Sequence, residues 1–143
     1  PVFDAAMMEH PLLNFHPLEN TATTTVDLTF TLSFKDRTAA GHVAHVRVYT
    51  PDGNLYRAMA QPIAAPNAAR GRRTVAGYPR PLAEQPLRAR GSGSAIRYEV
   101  DFAFPVGGTD IVSTGLYGSW KVEPYLDDAA APCAPAVSFE LRP

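Results

Sequence analysis

The feature that most constrains the fold is a strictly alternating run at residues 25–35, which reads TVDLTFTLSFK. From Val26 to Phe34 every second residue is apolar, and the residues between them are polar. Successive side chains on a β-strand point to opposite faces of the sheet, whereas a helix would scatter these residues around its circumference. The run therefore predicts a half-buried strand of an antiparallel sheet, with its polar face in solvent.

Five further segments show strand patterns, and we predict strands at 43–50, 55–61, 96–104, 119–126 and 136–142. The first two are joined by Pro-Asp-Gly-Asn, in which the proline and the glycine are typical of a hairpin turn. Pro124 lacks a backbone donor and predicts an edge position or a bulge in its strand. Residues 12–15 are a candidate first strand, and residues 4–10 are interpreted as one helical turn or an unstructured arm.

Residues 64–94 lack sustained periodicity and are rich in arginine, proline and glycine. We interpret this segment as one long loop, with a short strand near 73–78 as an option. Long loops inside compact domains are often functional.

The chain has 143 residues, which fits one domain. Short strand spacing without amphipathic helices predicts an all-β, two-sheet antiparallel β-sandwich of seven or eight strands. We assign residues 1–20 to an N-terminal arm or first short strand and 21–143 to the sandwich domain. Pro1 is interpreted as either a processed terminus or a domain boundary. The net charge of −1 gives no reason to expect nucleic-acid binding, and no apolar run predicts membrane insertion.

The segment LYGSWKV at 116–122 resembles the turn that enters strand F of immunoglobulin-like sandwiches. In this resemblance Gly118 occupies the tight turn, Trp120 the aromatic position and Val122 the place of the second cysteine. Because Cys133 is the sole cysteine, an intrachain disulfide is excluded. The resemblance is therefore to fibronectin type III-like and macroglobulin-like sandwiches, and it implies a fold without settling a function.

Candidate catalytic and metal-binding residues are sparse. His42 and His45 are spaced H-x-x-H, but on a strand they would face opposite ways, so we expect no metal site even with His10 and His16 nearby. Glu99 and Asp101 share one strand face, about 7 Å apart, where solvated carboxylates are normal. No nucleophile, base and orienting group occur together, so we predict that the protein is not an enzyme and uses no cofactor.

Arginine is concentrated in one part of the chain. Seven of the thirteen basic residues lie in one stretch: Arg70, Arg72, Arg73, Arg80, Arg88, Arg90 and Arg97. Acidic residues dominate after Tyr98. Arginine recognises carboxylates through paired hydrogen bonds, so the stretch predicts docking to an anionic partner, such as the acidic half of another copy. The alternative is that the loop bonds only to its own domain.

We therefore predict a non-catalytic protein-protein interaction or structural module, within a larger surface, secreted or particle assembly. The partner-binding residues would be Arg70, Arg72, Arg73, Tyr78, Arg80, Arg88 and Arg90. Removing Arg70, Arg72 and Arg73 together should weaken assembly without lowering the melting temperature. The alternative is a carbohydrate-binding or small-ligand-binding module that uses exposed tyrosines, for which the candidates are Tyr49, Tyr56 and Tyr125.

Overall fold

The structure, a computed structural model, describes residues 5–11, 27–35, 37–105, 111 and 114–141. Together they form an all-β fold with several sheets. The strands are β1 (Ala5–Pro11), β2 (Asp27–Phe34), β3 (Val43–Tyr49), β4 (Leu55–Ala64), β5 (Arg72–Arg73), β6 (Leu82–Ala83), β7 (Gln85–Pro86), β8 (Arg88–Arg90), β9 (Arg97–Pro105), β10 (Gly118–Leu126) and β11 (Val137–Leu141). Two short 3₁₀ turns lie at Arg37–Ala39 and Gly93–Ala95.

Two larger sheets and one ribbon organise these strands. The first sheet has four strands in the order β1-β2-β9-β8, all antiparallel. The second has five strands in the order β11-β10-β3-β4-β7, in which β4 and β7 run parallel and the other pairs antiparallel. Strands β5 and β6 form a separate antiparallel ribbon. The purely antiparallel arrangement that we predicted therefore has one exception, at β7.

Both larger sheets contribute side chains to one hydrophobic core. The alternating positions of β2 and β9 face it from the first sheet, and those of β3, β10 and β11 face it from the second. At its centre is an aromatic cluster whose ring centroids lie 5.2–6.2 Å apart, a spacing typical of favourable aromatic pairs. Its members are Phe30, Tyr56, Phe104, Trp120 and Phe139.

One hydrogen bond and one glycine define the entry to β10. The Trp120 indole N–H donates to the Leu116 carbonyl over 2.9 Å, which ties the buried ring to the chain four residues earlier. Gly118 has φ of 135°, and a Cβ there would lie 3.1 Å from Cγ of Pro51. Trp120 and Val122 are fully buried.

Each of the six predicted strands overlaps an observed one, so those predictions are confirmed. The helical turn or arm predicted at residues 4–10 is wrong, because β1 there pairs antiparallel with β2. The candidate strand at 12–15 lies outside the described residues. Pro124 lies where β10 is paired by β3 alone, since pairing with β11 ends at Val122. On its other side the Pro124 carbonyl accepts from the Cys133 N–H over 2.9 Å, so the proline lies beyond the end of the β10–β11 pairing, where its missing backbone donor interrupts no strand pairing with β11.

The prediction that the polar face of β2 is solvated is wrong at Thr31 and Ser33. Thr31 and Ser33 are only 2% and 4% exposed. Their hydroxyl groups donate to the carboxylates of Asp101 and Glu99, their cross-strand partners on β9. Periodicity predicts which side chains share a face, but not that later parts of the chain cover that face.

The excursion at 64–94 is built from short strands. Strands β5 and β6 form the ribbon, β7 extends the second sheet and β8 extends the first. The chain crosses from one sheet to the other at Leu87, whose side chain enters the core and whose N–H donates to the Ala64 carbonyl over 3.0 Å. The optional strand at 73–78 is observed two residues long, at Arg72–Arg73.

Candidate functional site

The predicted partner-binding residues fall into two groups. We call residues 70–84, which contain β5 and β6, the basic hairpin. The hairpin carries Arg70, Arg72, Arg73, Tyr78 and Arg80, whereas Arg88 and Arg90 lie on β8 at the edge of the first sheet. The sequence cluster is therefore divided between a ribbon and a sheet edge.

Arg73 anchors the basic hairpin to the rest of the domain. Its guanidinium donates to the carbonyls of Gly41, His42 and Ile63 over 3.0–3.2 Å. It also pairs with the Glu84 carboxylate over 2.5 Å, and the Glu84 N–H donates to the Gly71 carbonyl. Alternation along β5 places Arg73 inward and Arg72 outward, which matches their half-buried and exposed states.

Arg88 and Arg90 are held by acidic side chains of β9. Both nitrogens of the Arg88 fork donate to the Asp101 carboxylate, at 2.6 and 3.2 Å, and one of them also reaches Glu99 at 3.0 Å. Arg90 Nε donates to the same Glu99 oxygen over 3.0 Å. The Glu99 side chain is 5% exposed, so these ion pairs cover it almost completely.

The electrostatics of this network favour its ionised form. Burial opposes ionisation of Glu99, but hydrogen bonds from Arg88, Arg90 and Ser33 outweigh it and hold the pKa of that carboxyl below its ordinary value. Hydrogen bonds to Asp101 and Glu99 raise the pKa of Arg88. Much of the negative charge that the sequence places on β9 is therefore neutralised within the chain.

The remaining arginines of the basic hairpin point to solvent. Arg70, Arg72 and Arg80 are exposed, and none has an ion-pair or hydrogen-bond partner among the residues that the structure describes. Tyr78 is half-buried, and its N–H donates to the Val75 carbonyl in the turn beyond β5. These four residues are the part of the predicted set that is available to a partner.

An open groove of about 740 Å³ connects the two arginine groups. Arg70 lines it from the hairpin side and Arg88 from the sheet edge, together with Pro66, Asn67 and Asp101. Apart from Asp101 on β9, the lining residues belong to the segment 64–94 that we predicted as a loop, and the groove forms where that segment crosses between the two sheets.

The outward face of the second sheet carries two of the three tyrosines proposed for ligand stacking. The Arg47 guanidinium lies 4.4 Å from the ring centroid of Tyr125, and the Lys121 ammonium lies 4.8 Å from that of Tyr49. Both rings are therefore covered by cations of the same domain. Tyr56 was expected on this face but packs against Phe104 and Trp120, because the β3–β4 register shift next to it turns its ring toward the core.

His42 and His45 both lie near the turn that follows β10. His42 Nδ1 is 2.6 Å from Asp127 Oδ2, and the other Asp127 oxygen accepts from the Val43 N–H. Burial opposes ionisation of Asp127, but these hydrogen bonds outweigh it and lower the pKa of its carboxyl. Burial lowers the pKa of His45. The described residues hold no group of three or more histidine, cysteine, aspartate or glutamate side chains arranged to bind a metal ion.

A second groove, which the sequence analysis missed, lies over the outward face of the second sheet. It has a volume of about 550 Å³ and lies between residues 74–76 of the basic hairpin and residues 127–129 after β10. Its polar lining includes His45, Arg47, Tyr125 and Asp128. No spacing rule brings these positions together, since they meet only through β3–β10 pairing and the folded hairpin.

Cys133 is half-buried, and burial raises the pKa of its thiol, which disfavours the reactive thiolate. Within the described parts of the chain, no helix has the length and apolar character needed to span a membrane. Comparisons with protein-family models, with curated proteins and with solved structures give no match. The assignment of a function therefore depends on the geometry of the basic hairpin and the two grooves.

Proposed function

We propose that the protein is a non-catalytic interaction module that docks an acidic protein surface through the basic hairpin. The observation that carries this proposal is the division between inner and outer arginines. Arg73 holds the hairpin against the domain, while Arg70, Arg72 and Arg80 stay exposed and unpaired among the described residues. A cationic surface that is ordered before binding loses less conformational entropy when a partner docks.

The partner that this surface favours is a different protein rather than the acidic half of another copy. Glu99 and Asp101 already pair with Arg88 and Arg90, and Asp127 already pairs with His42. The acidic half therefore offers fewer free carboxylates than its sequence suggests. An acidic segment of a different protein would supply carboxylates to pair with the exposed arginines of the basic hairpin. Tyr78 would serve as an aromatic anchor among the arginines.

The finer fold assignment supports the same kind of role. We infer an immunoglobulin-like β-sandwich from the two larger sheets that share a core and from the Gly118, Trp120 and Val122 motif. Domains of that architecture present loops from a rigid scaffold for recognition.

A titration with a fluorescent oligoglutamate peptide, followed by anisotropy, tests the proposal. The variant Arg70→Ala, Arg72→Ala, Arg80→Ala should bind about tenfold more weakly, since three exposed ion pairs of about 0.5 kcal/mol each are removed. A matched variant, Lys35→Ala, Arg57→Ala, Lys121→Ala, removes the same charge from exposed positions elsewhere. Equal weakening in both variants would show a non-specific charge effect and contradict the proposal.

A carbohydrate-binding role receives less support from the structure. Of its three proposed stacking rings, Tyr56 packs against the core and the other two are covered by Arg47 and Lys121. A sugar would have to displace both cations before it could stack.

A further inference from the structure

The groove between residues 74–76 and 127–129 has features that the proposed docking function does not use. Its volume of about 550 Å³ falls within the range of roughly 300–1,000 Å³ typical of small-molecule sites. Its walls combine small apolar side chains, such as Val75, Ala76 and Ala129, with a few polar groups. This mixture is typical of sites that fix a ligand's orientation with few hydrogen bonds.

Arg47 supplies a positioned donor at this groove. Its guanidinium lies over the Tyr125 ring, 4.4 Å from the centroid, so the ring limits its freedom. No hydrogen bond or ion pair to Arg47 occurs within the described part of the chain. A stacked guanidinium with unused N–H groups matches the two oxygens of a carboxylate.

Asp128 supplies the complementary acceptor. It is exposed, lines the same groove, and has no hydrogen-bond partner in the described segments. Its neighbour Asp127 is already engaged by the His42 ring and the Val43 N–H, so Asp128 is the carboxylate left available to a ligand.

The charges of the groove restrict the ligand class. His45 also lines the groove, within electrostatic range of Arg47, Asp127 and Asp128, and burial lowers its pKa and so favours its neutral form. A purely anionic ligand would be attracted by Arg47 but repelled by the two aspartates. A purely cationic ligand would be attracted by the aspartates but repelled by Arg47. A ligand with both charges satisfies both ends.

We propose that this groove binds a small zwitterion of the amino-acid or short-peptide class, with its carboxylate on Arg47 and its ammonium group on Asp128. The apolar wall formed by Val75 and Ala76 receives the side chain or backbone of the ligand. A neutral sugar is disfavoured, because Tyr125 is the groove's one phenol ring and Arg47 covers it.

Calorimetric titration with L-alanyl-L-alanine tests this proposal against three relatives: free L-alanine, N-acetyl-alanyl-alanine and alanyl-alaninamide. L-alanyl-L-alanine (dialanine) should bind. The acetylated peptide lacks the ammonium group and the amide lacks the carboxylate, and each should bind about tenfold or more weakly, as expected for loss of one charge-assisted contact. Binding of alanine alone would retain the proposal and restrict the ligand to free amino acids. Equal binding of the blocked peptides, or no binding of either zwitterion, would overturn it.

Matched variants test the location. Arg47→Ala and Asp128→Asn should each abolish most of the affinity, whereas Arg57→Ala and Asp52→Asn change exposed charges outside the groove and should leave it unchanged. Thermal unfolding of all four variants verifies that they are folded. Dialanine binding that survives both groove variants would place the ligand elsewhere and overturn the assignment. Binding of maltose but not of dialanine would also overturn it, in favour of a sugar ligand.

Discussion

Arg73 and Glu84 close the basic hairpin at its base, with 2.5 Å between the guanidinium Nη2 and the carboxylate Oε2. The same guanidinium reaches three backbone carbonyls of the domain. Arg73→Ala should therefore lower the free energy of unfolding by about 2 kcal/mol, because it removes several bonds to a charged donor and leaves Glu84 half-buried without its cation.

The neighbouring residue provides the control. Arg72 is exposed, and Arg72→Ala should change stability by less than about 0.5 kcal/mol. Urea unfolding of both variants measures the difference. Equal stability of the two would show that the Arg73 contacts do not hold the hairpin. Because Arg73 has this structural role, the expectation that Arg70, Arg72 and Arg73 can be removed together without lowering the melting temperature no longer follows.

The Arg88 fork should matter more for stability than Arg90. Arg88→Ala removes the two hydrogen bonds that Arg88 donates to Asp101 and the one that it donates to the nearly buried Glu99, and should cost about 2 kcal/mol. Arg90 makes one bond to Glu99 from a side chain that is 63% exposed, so Arg90→Ala should cost about 0.5 kcal/mol. Chemical denaturation compares the two, and a larger loss for Arg90→Ala would contradict this ranking.

Acidification should destabilise the protein in two steps. The pKa of His45 is lowered from its ordinary value of 6.5, so below that pH the unfolded chain takes up the proton first and stability falls. The pKa values of Glu99 and Asp127 are also lowered, from 4.5 and 3.8, so their contribution is present above those values and lost as pH falls through the lower folded values.

The free energy of unfolding, measured across this pH range, checks the direction of the pKa shift of His45 and of the shifts of Glu99 and Asp127. His45→Gln should flatten the slope just below pH 6.5 and leave the more acidic step in place. Stability that rises on acidification through either window would contradict the assigned direction of the corresponding pKa shift.

Gly118→Ala should destabilise the protein by about 2 kcal/mol, since φ of 135° is accessible mainly to glycine. The added Cβ would also lie 3.1 Å from Cγ and 3.3 Å from Cβ of Pro51. The same substitution in a Pro51→Ala background should recover only the part of the loss due to the contact with Cγ, because alanine keeps its Cβ. Gly77→Ala is the control, because it has φ of 88° but an open surrounding. Full recovery in the double variant would show that backbone strain contributes nothing.

The sequence was most informative where a local pattern determines the structure. Alternation predicted the inward faces of β2, β9 and β11. This pattern depends only on residues that are close together in the sequence. The N-terminal strand β1 was misread because its pairing with β2 is a contact between distant segments.

The same limit applies to the candidate sites. Composition identified the arginine cluster, but it could not separate Arg73, which bonds inward, from Arg72, which faces solvent. It also could not show that Glu99 and Asp101 are the partners of Arg88. Arg47 and Asp128 line the second groove together, although they are far apart in the sequence, and no periodicity in the sequence predicts that they lie near each other.

The most direct test of the docking proposal measures melting temperature and oligoglutamate affinity on the same two variants. The variant Arg70→Ala, Arg72→Ala, Arg80→Ala should keep the wild-type melting temperature and lose about tenfold in affinity, because the three side chains it removes are exposed and form no ion pair or hydrogen bond among the described residues. Arg73→Ala should melt several degrees lower, as a loss of about 2 kcal/mol implies for a domain of this size. Wild-type affinity in the triple variant would contradict the proposed function.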